Sequence, residues 1–212
     1  MDLWAGAMSW SGNELRAQVT KAARGLGYDW GRAKYLGESV LRAERNGLSA
    51  LASFLQLIDT LDTGPSHLLH SNLLKGDTVR VDVVDIGITL IDHLPGLDFQ
   101  RLVAFDVAGF PLFLGILCYG LTGTDRALQI EIDGIECVVQ ADRILVGLEP
   151  PFQGSCSLRA CPLRHDDWQS VNRFEVADSD AEVLDHLASR VYAPATEASR
   201  LAGAGAGLND ND

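Results

Sequence analysis

The chain has 212 residues, 47% of them hydrophobic, enough to bury a core of its own. A formal net charge of −12, with no run of Lys and Arg to offset it, repels phosphate backbones and anionic lipid. That argues against nucleic-acid and membrane partners. The charge is uneven, since residues 1–60 hold 7 Lys/Arg against 6 Asp/Glu while residues 61–212 hold 10 against 23. A neutral front and an acidic remainder can attract one another within or between subunits. The opening MDLWAGAMSW has no basic n-region, and no run of about 18 uncharged apolar residues occurs, so a cytoplasmic location is expected. Four cysteines, at 118, 137, 156 and 161, fit a reduced compartment and not a disulfide framework.

In chain order, SGNELRAQVTKAARGLG opens on a capping box, Ser11 with Glu14, so a helix is predicted from about residue 12. Leu15, Val19, Ala22, Ala23 and Leu26 make its apolar face, and Gly27 stops it. DWGRAKYLGESVLRAERNG predicts a second helix, capped by Asp29, with Trp30, Ala33, Leu36, Gly37, Val40 and Leu41 inward and Asn46-Gly47 closing it. LSALASFLQLIDTL is apolar on most faces and predicts a buried third helix.

Beyond Gly64-Pro65 the pattern reads as period two. VRVDVVDIGITLID, RLVAFDVAGFPLFLGILCYGL, LQIEIDGIECVV and RILVGL are expected to be strands of a mostly antiparallel sheet. A two-residue turn at Asp133-Gly134 sets Ile132 opposite Ile135, Glu131 opposite Glu136 and Ile130 opposite Cys137. A second hairpin turning at Ala108-Gly109 would place Phe110, Leu112, Leu114, Ile116 and Cys118 on one face, leave Leu102, Ala104 and Phe113 on an equally apolar other face, and put Pro111 at an edge or bulge. DSDAEVLDHLASRVYAP predicts a last helix capped by Asp178 or Ser179, with Val183, Leu184, Leu187 and Val191 inward and Pro194 ending it.

The expected architecture is α+β: a three-helix N-terminal layer over residues 1–62, an antiparallel sheet region over 78–165, and a C-terminal helix with a Gly/Ala-rich docked arm over 178–212, integrated as one domain.

Several residue groups invite a chemical reading. GAGAG at 203–207 follows a helix and precedes an acidic end, the reverse of a phosphate loop, so a helix stop and an arm fit better. Cys161, His165 and Asp166, with Arg159 and Arg164 able to lower a thiol pKa, could supply a nucleophile and base, against the plainer reading of a strand with Cys156 or Cys161 packed inward. Cys156, Cys161 and His165 do not match structural zinc spacing. His67 and His70 read as polar loop chemistry. Glu131 opposite Glu136 could be an acid/base or hard-metal pair, or could be relieved by Arg126 or Arg143 or by water. Glu182, His186 and Arg190 form one stripe of the last helix, which reads as a solvated face. No cofactor and no metal is called for.

NELRAQVTKAARGLGYDWGRAKYLG and RVYAPATEASRLAGAGAGLNDND together resemble an uncharacterised bacterial family, domain-of-unknown-function family 3726, over the whole chain. Asn13, Glu14, Lys21, Ala22, Ala23, Arg24, Gly25, Gly27, Trp30, Gly31 and Gly37 carry the resemblance in front, and Tyr192, Pro194, Glu197, Ser199, Arg200 and the glycines carry it behind. Lys34-Tyr35 departs from the acidic residues expected there. The resemblance implies no activity, but it marks the two ends as shared features. Two functions follow. One is a non-catalytic accessory or assembly protein that forms homo-oligomers, a dimer in the simplest case, and serves a partner enzyme. The other is a binder or enzyme for a small carboxylate or other anion, with Lys21, Arg24 and Arg200 taking the charge, Glu197 orienting it and Trp30 alongside.

Overall fold

The computed structural model describes residues 6–61, 83–93, 110–132, 135–146, 156–164 and 170–192. Its elements are β1 (Ala7–Ser11), α1 (Gly12–Gly25), α2 (Trp30–Arg45), α3 (Ala50–Leu61), α4 (Val83–His93), α5 (Phe110–Gly120), β2 (Ala127–Ile132), β3 (Ile135–Gln140), β4 (Arg143–Val146), β5 (Cys156–Cys161), β6 (Arg173–Ala177) and α6 (Asp178–Ser189). The class is α+β: helices and two antiparallel sheets, ordered β1-β6 and β4-β3-β2-β5. Among the described residues no helix is long and apolar enough to cross a membrane.

The front of the chain folds as its local signals dictate. Ser11 Oγ accepts from Glu14 N at 3.3 Å, and Glu14 Oε2 accepts from Ser11 N at 2.7 Å, completing the capping box. Asp29 caps α2 through Arg32 N at 3.0 Å. Gly27 and Gly47 take left-handed φ values of +101° and +75°, the conformations that end a helix where a Cβ would be strained. One inward assignment fails: Trp30 is 60% exposed. It is the first residue of α2, in line with the face that Ala33, Leu36, Gly37, Val40 and Leu41 bury but one turn before that face begins.

Residues 78–165 are not all sheet. VVDIGITLIDH and FPLFLGILCYG, expected as strands, are helices α4 and α5. In α4, Val83, Val84, Gly87 and Leu90 are buried at one-, three- and three-residue steps, a helical face that its β-branched content disguises. In α5 every residue from Leu112 to Cys118 is buried. An apolar run covered on all sides has no periodicity to reveal it. Pro111 lies in the first turn of α5, where no backbone N–H is needed, and not at a sheet edge. Residues 102–109 of the expected hairpin lie outside the described residues.

α5 is the centre of the molecule. α2 packs on it, α1 on α2 and α6 on α1, while α3 and α4 flank α5 and the four-stranded sheet meets it through β3 and β4. Buried residues of helices and sheet form one cluster. The sheet offers Leu128, Ile130, Cys137, Val139, Ile144 and Leu158 to that core, in the register expected of the β2–β3 hairpin: Ile132 to Ile135, Glu131 to Glu136, Ile130 to Cys137.

The ribbon of β1 and β6 was not anticipated, although RFEVA alternates, with Phe174 and Val176 buried and Arg173 and Glu175 exposed. It replaces the expected side-chain cap of α6. The N-cap is Ala177, and Asp178 N donates to Gly6 O of the β1 side at 3.0 Å. α6 buries Ala181, Leu184, Leu187 and Ala188, whereas Val183 points outward at 43% exposure.

The α2–α5 contact rests on Gly115, where an added Cβ would strike the carbonyl oxygen of Ser39. Alanine is favoured over glycine in a helix by about 1 kcal/mol. Overpacking against backbone that cannot yield costs about 1–3 kcal/mol or more. We therefore expect Gly115→Ala to lower the urea midpoint despite its better helix propensity, and an unchanged or raised midpoint would show that the two helices can separate without loss.

Candidate functional site

α1 and α2 meet at a corner built from the loop Leu26–Asp29. Arg24, in the last turn of α1, donates through Nη1 to the carbonyl of Tyr28, and its guanidinium stands 4.9 Å from the centre of the Trp30 ring. The two sequence candidates Arg24 and Trp30 are therefore brought together as a cation–π pair. Arg24 Nε is buried and has no hydrogen-bond partner among the described residues. Lys21 lies three residues earlier on α1. Lys34 is exposed one turn into α2, and Arg32 is turned aside to Asp85 at 3.0 Å and Asp29 at 3.8 Å. Next to this corner Gly25 packs on the carbonyl of Leu187 in α6. Glu197 and Arg200 lie outside the described residues, as do the GAGAG segment, Pro194, His67, His70, His165 and Asp166.

A second polar cluster, missed in the sequence, joins α1, α2, α5 and the β3–β4 turn. Glu38 accepts from Arg16 at 3.0 Å and from Arg42 at 2.7 Å. Arg42 also lies 3.1 Å through Nε from Asp142 Oδ1, off the hydrogen-bond direction, and 4.7 Å from the Tyr119 ring. Its side chain and that of Glu38 are 12% and 13% exposed. Tyr119 in turn meets Tyr35 edge-on at 4.7 Å, and the Tyr35 hydroxyl donates to Ile116 O at 3.3 Å. Burial holds the Tyr35 phenol well above its ordinary range. Arg16, Glu38 and Arg42 are four and more residues apart on two helices, and no local motif names them. The i,i+4 pair Glu38/Arg42 was the one available signal.

Burial raises the pKa of the three thiols Cys118, Cys137 and Cys161. Burial pushes Cys118 up to about 12 and Cys137 up to about 11. For Cys161, burial raises the pKa more than Arg164 and Arg159 lower it, so the expected activation by those arginines does not prevail. Cys161 ends strand β5, with Pro162, Leu163 and Arg164 exposed beyond it, as in the plainer reading. Glu131 does stand opposite Glu136, and Arg164, at 3.0 Å from Glu136, supplies a cation to the pair. Glu182, His186 and Arg190 form an exposed stripe with Arg190 3.3 Å from His186.

Residues 10–86 of the chain match the model of a family described as a protein of unknown function, DUF3726. No curated protein and no solved structure matches the chain. The matched stretch contains the front residues that carried the resemblance and ends before Tyr192, Pro194, Glu197, Ser199 and Arg200. In the structure those front residues build the α1–α2 pair: Glu14 closes the cap, Ala22 and Ala23 are buried, Gly37 lets α2 lie on Thr20 and Arg16, and Arg24 stacks on Trp30.

Two partly buried carboxylates, Glu38 and Glu44, have pKa shifts in opposite directions and so act on stability in opposite ways as pH changes. Burial raises the Glu38 pKa, but the bonds from Arg16 and Arg42 outweigh it and hold the group below its ordinary 4.5. Its contribution is present above that value and is lost as pH falls through the lowered folded pKa. Glu44 is raised by burial, against the amide of Leu51 that it accepts from at 2.8 Å, so its contribution runs the other way and fades as pH rises. We expect Glu38→Gln to cost about 2–3 kcal/mol near neutral pH, leaving Arg42 buried without its carboxylate. Urea unfolding of the variant from pH 7 to 3 should show a smaller acid loss than the parent chain, and identical slopes would remove Glu38 from this account.

Proposed function

We propose that this protein is a non-catalytic cytoplasmic accessory protein that homo-oligomerises through the corner centred on Trp30. The observation that carries the reading is the Trp30 ring, 60% exposed beneath the Arg24 guanidinium. Lys21, Arg32 and Lys34 are close by in the sequence, Arg32 paired with Asp85 and Asp29, on a chain of net charge −12. Trp and Arg are the residues that contribute most to interfaces when a partner removes them from water. The chain itself offers a complement, because α6 carries Asp178, Asp180, Glu182 and Asp185 around the exposed Val183. In a two-fold dimer each corner meets the α6 of the other copy, since such contacts are reciprocal. The apolar segment Phe110–Cys118 no longer supports association, being enclosed within one protomer.

Size-exclusion chromatography with light scattering should give a dimer at micromolar concentration, weakened at high salt. The double change Arg24→Glu with Trp30→Ala should give a monomer with unaltered circular dichroism. A clean monomer for the parent chain at that concentration would end the oligomer reading.

The packing of Gly25 on Leu187 favours a second reading, a small-carboxylate binder. α6 ends beside the last turn of α1, the helix that carries Lys21 and Arg24, and Glu197 and Arg200 follow α6 in the sequence. Lys21, Arg24 and Arg200 then hold a carboxylate and Glu197 orients it. Deleting residues 195–212 should abolish any thermal stabilisation by carboxylates. If the full chain is stabilised by no carboxylate or phosphate, this reading fails.

A further inference from the structure

The face of the β3–β4 pair turned away from the helices carries a site that neither reading uses. Cys137 and Val139 point to the core, so Glu136, Val138 and Gln140 lie on the opposite side, and Leu145 of β4 pairs with Val138 there. An open cleft of about 510 Å³ runs along the β4 edge, lined by Glu136, Val138, Leu145 and Arg164 from this face and by Asn46, Ile144 and Val146 from the side that meets the helices. That volume falls within the roughly 300–1,000 Å³ of small-molecule sites.

Its polar groups are fixed in different degrees. Asn46 has its amide committed, donating to Arg42 O at 2.7 Å and accepting from Ile144 N at 2.9 Å, so it is a rigid wall. Gln140, 6% exposed, grips the backbone of Arg164 in both directions, donating to its carbonyl at 2.9 Å and accepting from its N–H at 3.0 Å. The Arg164 side chain therefore starts from a fixed point. It reaches Glu136 with a single contact, Nη2 to Oε1 at 3.0 Å, and both side chains are 49% exposed. One N–H on one oxygen leaves the guanidinium further donors and the carboxylate a second acceptor.

We propose that this cleft binds a small zwitterion, an α-amino acid with an apolar side chain. Its carboxylate pairs with Arg164, its ammonium with Glu136, and its side chain lies against Leu145 on the edge strand β4. A plain anion on Arg164 would meet the Glu136 carboxylate, and a plain cation on Glu136 would meet the Arg164 guanidinium. Only a ligand that holds both charges close together, as on the two groups attached to one α-carbon, satisfies the two at once. The apolar floor then favours Leu-like over charged side chains.

Isothermal titration of the full chain with L-leucine tests the proposal, with 4-methylpentanoate and 3-methylbutylamine as analogues lacking one charge each, and glycine lacking the side chain. Leucine should bind, and each comparator should bind at least about tenfold more weakly. Glu136→Gln and Arg164→Gln should each weaken leucine binding by a similar factor, with an unchanged melting temperature because the pair is half exposed. Leu145→Gln should weaken leucine without affecting its charge requirement. Arg24→Glu should leave leucine binding intact, which separates this site from the corner at Trp30. No heat with millimolar leucine, equal binding of 4-methylpentanoate, or unaltered affinity in the Glu136 and Arg164 variants would each overturn the assignment.

Discussion

Helix α5 has no charged residue and is buried from Leu112 to Cys118, so it must be covered on every side. That requirement orders the rest of the fold. α2 approaches so closely that Gly115 lies against the Ser39 carbonyl, α4 crosses at Gly87 against Ile116, and the sheet closes the remaining side through the Cys137, Val139 and Ile144 row. Even the Cys118 thiol, pointing at the β3–β4 turn, has a polar partner, donating to Gln140 O at 3.3 Å.

Polar chemistry is pushed to the margins of this core. Arg42 bridges the helices and the β3–β4 turn, and Asp142, which takes its guanidinium, occupies a left-handed φ of 61° in that turn. Asn46, at the C-terminal end of α2, holds the same turn through Ile144 N. The sheet is therefore attached to α2 by directional contacts, while the apolar face supplies its non-directional burial. Outside this attachment lie the Arg24–Trp30 corner at one end of α1 and the half-exposed Glu136–Arg164 pair on the sheet.

The parts legible in the sequence are those whose cause is local. The Ser11/Glu14 box, the Asp29 cap and the Gly27 and Gly47 stops each act within a few residues, and a two-residue turn dictates the β2–β3 register from its length alone. α4 and α5 were misread because Val, Ile and Phe favour strands in isolation, and only surrounding helices convert such runs into a buried helix. Trp30 read as inward because it continues an apolar pattern, but a first-turn residue can stand clear of the face that follows. The ribbon of β1 and β6 needs partners more than 160 residues apart, which no short window contains.

By itself the sequence determined the α1–α2 pair, its caps, the β2–β3 hairpin, and the presence of Lys21, Arg24 and Trp30 in one stretch. These follow from hydrogen bonds and side-chain periodicities that close over short spans. Only the tertiary structure decided that residues 83–93 and 110–120 are helices, that Glu38 sits between Arg16 and Arg42, that Arg164 answers Glu136, and that Arg24 stacks on an exposed ring. Each of those depends on which surfaces the buried α5 draws together, a long-range outcome of apolar burial that no residue specifies alone.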